Sequence, residues 1–98
     1  MKLLTKEIRA KLPKLGETDG QENVPIIVKF FHPVGSWTWY ATEFDGEDTF
    51  FGLVDGFEKE LGYFSLKELQ SVRGALGLGI ERDMYFDNHT VKEILTRS

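Results

Sequence analysis

Between positions 43 and 55 the chain sets five carboxylates, Glu43, Asp45, Glu47, Asp48 and Asp55. Carboxylates this close could hold Mg²⁺ or Ca²⁺ through oxygen ligands, or divide acid and base duties between two of their number. The spacing supports neither use. A calcium loop alternates its ligands over about a dozen residues and closes on a bidentate Glu. The run Asp45–Gly46–Glu47–Asp48 is too short for that, and no Glu follows at the right distance. Nothing selects two of the five as an acid–base pair. Two other uses remain: a solvated turn whose charges discourage edge aggregation, and a surface for a basic partner. His32 and His89 lie far apart and form no HxH or HExxH pattern, so they read as surface or turn residues. Ser36 and Ser65 lack the GxSxG elbow of a nucleophile. The glycines of Leu76 to Glu81, LGLGIE, are too closely spaced for a dinucleotide fingerprint. The chain has no cysteine, which removes disulfides, thiolate metal sites and thiol nucleophiles. The expectation is a non-enzymatic protein with no metal and no cofactor.

Aromatic residues crowd the same stretch: Phe30, Phe31, Trp37, Trp39, Tyr40, Phe44, Phe50 and Phe51. Most suit a core and its cross-strand pairs. On one strand, period-two alternation sends Trp37, Trp39, Ala41 and Glu43 one way and Thr38, Tyr40, Thr42 and Phe44 the other. A face ending in Glu43 reaches solvent, which makes Trp37 and Trp39 the candidates for partner binding beside the acidic group. Base stacking is disfavoured, since Lys29 alone brings positive charge to this region and no glycine–aromatic RNA-binding signature appears.

These residues need strands to hold them. Residues 25–31, 36–44, 49–55 and 57–64 read as strands, rich in β-branched and aromatic residues. Asp45 and Gly46 turn the chain between the second and third, and Gly52 marks a bulge or a close approach. Residues 3–15 form a helix with Leu4, Ile8, Leu12 and Leu15 on one face, Thr5 as N-cap and Pro13 as its limit. Residues 16–24 are a polar loop. Ser65 to Glu68, SLKE, is a capping box opening a helix that ends near Gly74. An irregular stretch over 75–84 follows, then a last short strand at Met84–Phe86. A second capping box, Thr90 to Glu93, opens a short helix through Leu95. The expected fold is a single α+β domain over 1–98, an antiparallel three- to four-stranded meander with helices packed on one face.

Ninety-eight residues suffice for one core without staples. The net charge of −4 conceals a polarised layout: residues 1–15 carry +4 and residues 43–60 carry −6. Lys6, Arg9, Lys11 and Lys14 line the side of the first helix opposite its apolar face. They could touch nucleic acid, act as a solvated face, or draw toward the acidic hairpin. No apolar run approaches a membrane span, and charges interrupt the start of the chain before any signal-peptide core forms. A cytoplasmic protein is expected.

The run Trp37 to Leu69, WTWYATEFDGEDTFFGLVDGFEKELGYFSLKEL, resembles a family of small bacterial proteins of unknown function encoded on plasmids, integrated elements and phages. The N-terminal KLLTKEIRAKLPKL and the later SVRGALGLGIERDMYF are similar to it as well. The resemblance implies an accessory role in mobile elements and supplies no catalytic or binding residue. The resulting expectation is an interaction protein, in its sharpest form an inhibitor of a host defence protein. Its acidic hairpin (Glu43, Asp45, Glu47, Asp48, Asp55) would steer toward a basic surface and Trp37 or Trp39 would anchor. The alternatives are a nucleic-acid-binding accessory protein using the basic helix and Arg73, and a metal-dependent enzyme using the acidic cluster. Exposed edges of a small meander also allow a homodimer.

Overall fold

The structure, a computed structural model, describes residues 2–97. Its elements are α1 (Lys6–Lys11), β1 (Val28–Phe31), β2 (Thr38–Phe44), β3 (Thr49–Asp55), β4 (Lys59–Ser65), α2 (Leu66–Ser71), a 3-10 turn (Ala75–Gly77), β5 (Glu81–Arg82) and α3 (Val91–Thr96). The α+β class holds. The sheet has five antiparallel strands in the order β4-β3-β2-β1-β5 rather than three or four. The first four form the expected meander. The fifth is not the Met84–Phe86 segment, which turns, but Glu81–Arg82 laid against Phe31 and Phe30. Two residues carry no readable periodicity, so only the pairing defines them.

Helices cover both faces of the sheet, not one. Ala41 and Tyr40 are neighbours on β2 and therefore point to opposite faces. Ala41 belongs to a core with Val28, Phe30, Phe44, Phe50, Leu66 and Leu69, against which Ile8 and Leu12 of the N-terminal segment pack. Tyr40 belongs to a second core with Ile26, Leu53, Val91 and Ile94. Thus α1 and α2 lie on the first face and α3 on the second. Rings stack through the first core: Phe44 and Phe50 have centroids 4.5 Å apart, and Phe50 and Phe64 5.3 Å.

A bulge at Thr42 governs what β2 presents. Ala41 pairs with Gly52 and Glu43 with Phe51, leaving Thr42 without an opposite number. Its hydroxyl instead donates to the Phe51 carbonyl at 3.1 Å. One extra residue inverts the alternation beyond it. Phe44 therefore joins the face of Trp39 and Ala41, and Glu43 leaves it. The expected grouping of Trp37, Trp39, Ala41 and Glu43 fails at its last member.

The local signals act as expected where the backbone is short of partners. The Thr5, Ser65 and Thr90 hydroxyls accept the amides of Ile8, Glu68 and Glu93 and cap the three helices. The first helix is shorter than residues 3–15. Leu3 and Leu4 are buried ahead of its cap, and Leu12, extended before Pro13, ends it. The second helix stops at Ser71, three residues before Gly74. Gly52 is a close approach: a Cβ there would lie 1.9 Å from the Tyr40 carbonyl oxygen.

Candidate functional site

The hairpin of β2 and β3 separates the two halves of the expected site. Its acidic turn, residues 45–48, is at one end. Trp37 is at the other, beside the end of β3 where Thr38 pairs with Asp55. A seven-residue strand spans about 20 Å, so the turn cannot share a partner side chain with Trp37.

Three of the five acids are occupied by the protein's own backbone. Glu43 is 2% exposed. Its Oε1 accepts the Gly16 amide at 2.8 Å, and its Oε2 accepts the Thr18 amide at 2.9 Å and the Thr18 hydroxyl. Burial alone would raise its pKa. The Thr18 hydroxyl and the two amides together outweigh that and hold the carboxyl below the ordinary value. Asp45 Oδ1 accepts the amides of Glu47, Asp48 and Thr49 at 2.8, 2.9 and 3.0 Å. Those bonds, led by Glu47, lower its pKa. Asp48 reaches the next element: it accepts the Ser65 hydroxyl at 2.6 Å and the Lys67 amide at 2.8 Å, and these lower its pKa in that order. Glu47 stays exposed at the turn. Asp55 is half-buried on the face of Thr38 and Tyr40, where its charge helps keep the Tyr40 phenol protonated, after burial itself.

Trp37 and Trp39 do come together, with ring centroids 6.1 Å apart. They are joined by Phe57, which lies not in the expected strand over 57–64 but ahead of β4, which begins at Lys59. Phe57, in the turn between β3 and β4, meets Trp37 edge-on at 5.4 Å and is itself 95% exposed. Trp37 is 37% exposed. Gly56 makes this possible, because a Cβ there would fall 2.5 Å from the Trp37 ring. Around the two rings, Val54, Gly56, Glu58 and Glu60 complete a cavity of about 550 Å³. Among the described residues no ion pair or hydrogen bond engages the Glu58 or Glu60 carboxylates. The arrangement is an aromatic floor with two unpaired negative charges. Phe57 had one readable signal: a large apolar residue at the tip of an Asp-Gly turn has no core to enter.

The other candidates are used locally. His32 packs its ring over Gly74, where a Cβ would sit 2.2 Å from Nε2, and its Nδ1 accepts the Val34 amide at 3.3 Å. His89 stands between Asp87 and Glu93 at 3.2 and 3.0 Å. Ser65 caps α2. Arg9 of the basic helix donates to the Gly46 carbonyl and covers the Phe44 ring at 5.2 Å. Arg73 donates to the Gln70 and Val72 carbonyls. Among the described residues no group of three or more His, Asp or Glu side chains is placed to hold a metal ion. Nor is any helix among them long and apolar enough to cross a membrane.

No curated protein and no solved structure matches this chain. A family model does, over residues 3–94, nearly the whole chain. The chain belongs to the DUF2958 family, described as proteins of unknown function.

Proposed function

We propose that this chain is a protein-binding module that docks on a basic surface through Trp37, Phe57, Glu58 and Glu60. The observation that carries the reading is the exposed pair Trp37–Phe57 beside two unpaired carboxylates. An arginine or lysine side chain laid on the Trp37 ring would meet a π-face within about 6 Å and a carboxylate at its head. Glu58 and Glu60 belong to the most acidic stretch of the chain, which draws such a partner in. The docking site thus keeps the tryptophan of the original expectation and replaces its acids. In the mobile-element setting that the resemblance implies, such docking would mask a host defence protein in the cytoplasm. Its target surface would be one that normally holds nucleic acid.

The nucleic-acid alternative is weaker, because two of its cations, Arg9 and Arg73, already serve backbone carbonyls. The test uses an oligoarginine peptide and the fluorescence of a Trp39→Phe chain, in which Trp37 is the sole reporter. Binding is expected to shift the emission and to weaken as salt rises. Replacing both Glu58 and Glu60 with Gln should cut affinity about tenfold and flatten the salt dependence. Glu47→Gln should change neither. An emission that ignores the peptide, or a Glu58/Glu60 variant that binds like the parent, overturns the reading.

A further inference from the structure

We infer that β4 is the strand through which two copies of this chain pair, antiparallel, about a two-fold axis at Gly62. The strand is the outer edge of the sheet, and its one neighbour is β3. Natural edges are blunted by shortness, proline, a bulge, an inward charge or a covering element. This edge is seven residues long, has no proline, and runs without a register shift against β3. Its single lysine, Lys59, does not guard it, because Nζ donates to the Ile94 and Arg97 carbonyls at the end of α3.

The hydrogen-bond phase of the edge is fixed. At the two ends of the β3–β4 ladder, the Leu66 amide donates to Asp48 at 2.8 Å and the Gly56 amide to Glu58 at 3.1 Å. Even-numbered residues therefore face β3. By antiparallel alternation the N–H and C=O groups of Lys59, Leu61 and Tyr63 face outward. The side chains of the same odd-numbered residues stand on one face of the sheet, where Leu61 is 55% and Tyr63 68% exposed. Phe51 lies behind Tyr63 at 5.0 Å.

A second copy fits this edge in a way set by its own sequence. With Gly62 opposite Gly62 of the second copy, Leu61 faces Tyr63, Glu60 faces Phe64 and Lys59 faces Ser65. All seven residues of the strand are paired, every outward amide meets an outward carbonyl, and no charge opposes a like charge. Shifting by two residues in either direction leaves part of the strand unpaired. Two copies of an acidic chain repel, but β4 carries one base and one acid, so they meet where that repulsion is small. Leu61 and Tyr63 of both copies then close into one apolar patch. The inference does not rest on the docking site at Trp37, although the two share Glu60, whose side chain stands on the face of the sheet opposite Leu61 and Tyr63.

Cysteine scanning reads the axis directly, since the chain has no cysteine of its own. At Gly62 a Cβ meets nothing within 4 Å. Across the axis, position 62 is a non-hydrogen-bonded pair with Cα atoms about 4.5 Å apart, within disulfide range. Gly62→Cys is expected to oxidise to a covalent dimer at least about tenfold faster than Leu61→Cys or Tyr63→Cys, whose copies lie off the axis. In sedimentation equilibrium the parent should dimerise, and Leu61→Lys with Tyr63→Lys should weaken the dimer about 100-fold. A parent chain that stays monomeric up to about 1 mM overturns the inference. So does a dimer that the paired lysines leave intact, or faster cross-linking at 61 or 63 than at 62. If the lysine variant loses its circular-dichroism signature, the cysteine scan alone decides.

Discussion

Glu43 is buried to 2% exposure yet ionised at neutral pH, because its carboxylate fills the concavity formed by the Gly16 and Thr18 amides and the Thr18 hydroxyl. A charge taken out of water is tolerated only where several donors replace the lost hydration. Glu43 therefore fastens the polar loop 16–24 to the sheet, and that loop has no other buried residue than Thr18 over 16–23. Glu43→Leu keeps much of the volume but orphans three donors. It is expected to lower stability by about 2–4 kcal/mol, whereas Glu43→Gln, which retains an acceptor, should lose about half as much. Urea unfolding of the two variants checks this. Equal midpoints for Leu and the parent would mean that the loop is held by something else. Asp45 and Asp48 follow the same logic in the open, closing the turn and tethering it to α2. Carboxylates that looked available for a partner are spent on amides, and the sequence alone could show only Asp45, through its Asp-Gly step, as a turn former.

At the scale of elements, the meander was legible because its strands are rich in β-branched and aromatic residues and each turn between them carries a glycine or proline. The strand 49–55 is found with its expected ends, and the three caps are found at Thr5, Ser65 and Thr90. What escaped was set by pairing between distant segments. The bulge at Thr42 is defined by which residues of β3 lie opposite, and nothing in TWYATEF announces it. It flips Glu43 inward and so dissolves the acidic–aromatic face read from strict alternation. Likewise β5 exists through its pairing with Phe30 and Phe31, and the coverage of both faces depends on where α3 returns. Gly52 lies beside the bulge, opposite Ala41, and there the two strands approach too closely for a side chain. Gly52→Ala drives a methyl into the Tyr40 carbonyl, a backbone atom that cannot swing aside. A loss of about 2–4 kcal/mol is expected. Gly62→Ala, at the facing position on β4, meets nothing and should change stability by less than about 1 kcal/mol. Thermal melts of the pair distinguish backbone crowding from a general intolerance of side chains in this sheet.

At the scale of the whole molecule, the titrating groups bound the pH range in which the fold is stable. Four carboxyls, Glu43, Asp45, Asp48 and Glu93, sit below their ordinary values in the folded chain, 4.5 for the glutamates and 3.8 for the aspartates. For Glu93 the leading cause is its hydrogen bond with His89. A carboxyl depressed by folding binds its proton more weakly in the native state than in the unfolded one. Its contribution is complete above the unfolded pKa and disappears as pH falls through the lower, folded one. Stability should therefore be level above about pH 5 and decline steadily below about pH 4.5. Tyr40 sets the other limit. Burial, then the charges of Asp55 and Asp83, raise its pKa above 10.0 against the lowering effect of Arg97. A raised acid contributes fully below its unfolded pKa and loses that contribution as pH climbs past it, so a second decline begins near pH 10. Urea midpoints measured from pH 3 to pH 11 should trace a plateau with these two shoulders. Glu43→Gln removes a buried carboxyl from the acid shoulder and should make it shallower, and Tyr40→Phe should push the alkaline shoulder higher. An acid limb of unchanged slope in Glu43→Gln would show that the exposed caps of the turn and of α3, rather than the buried loop clasp, couple this fold to protons.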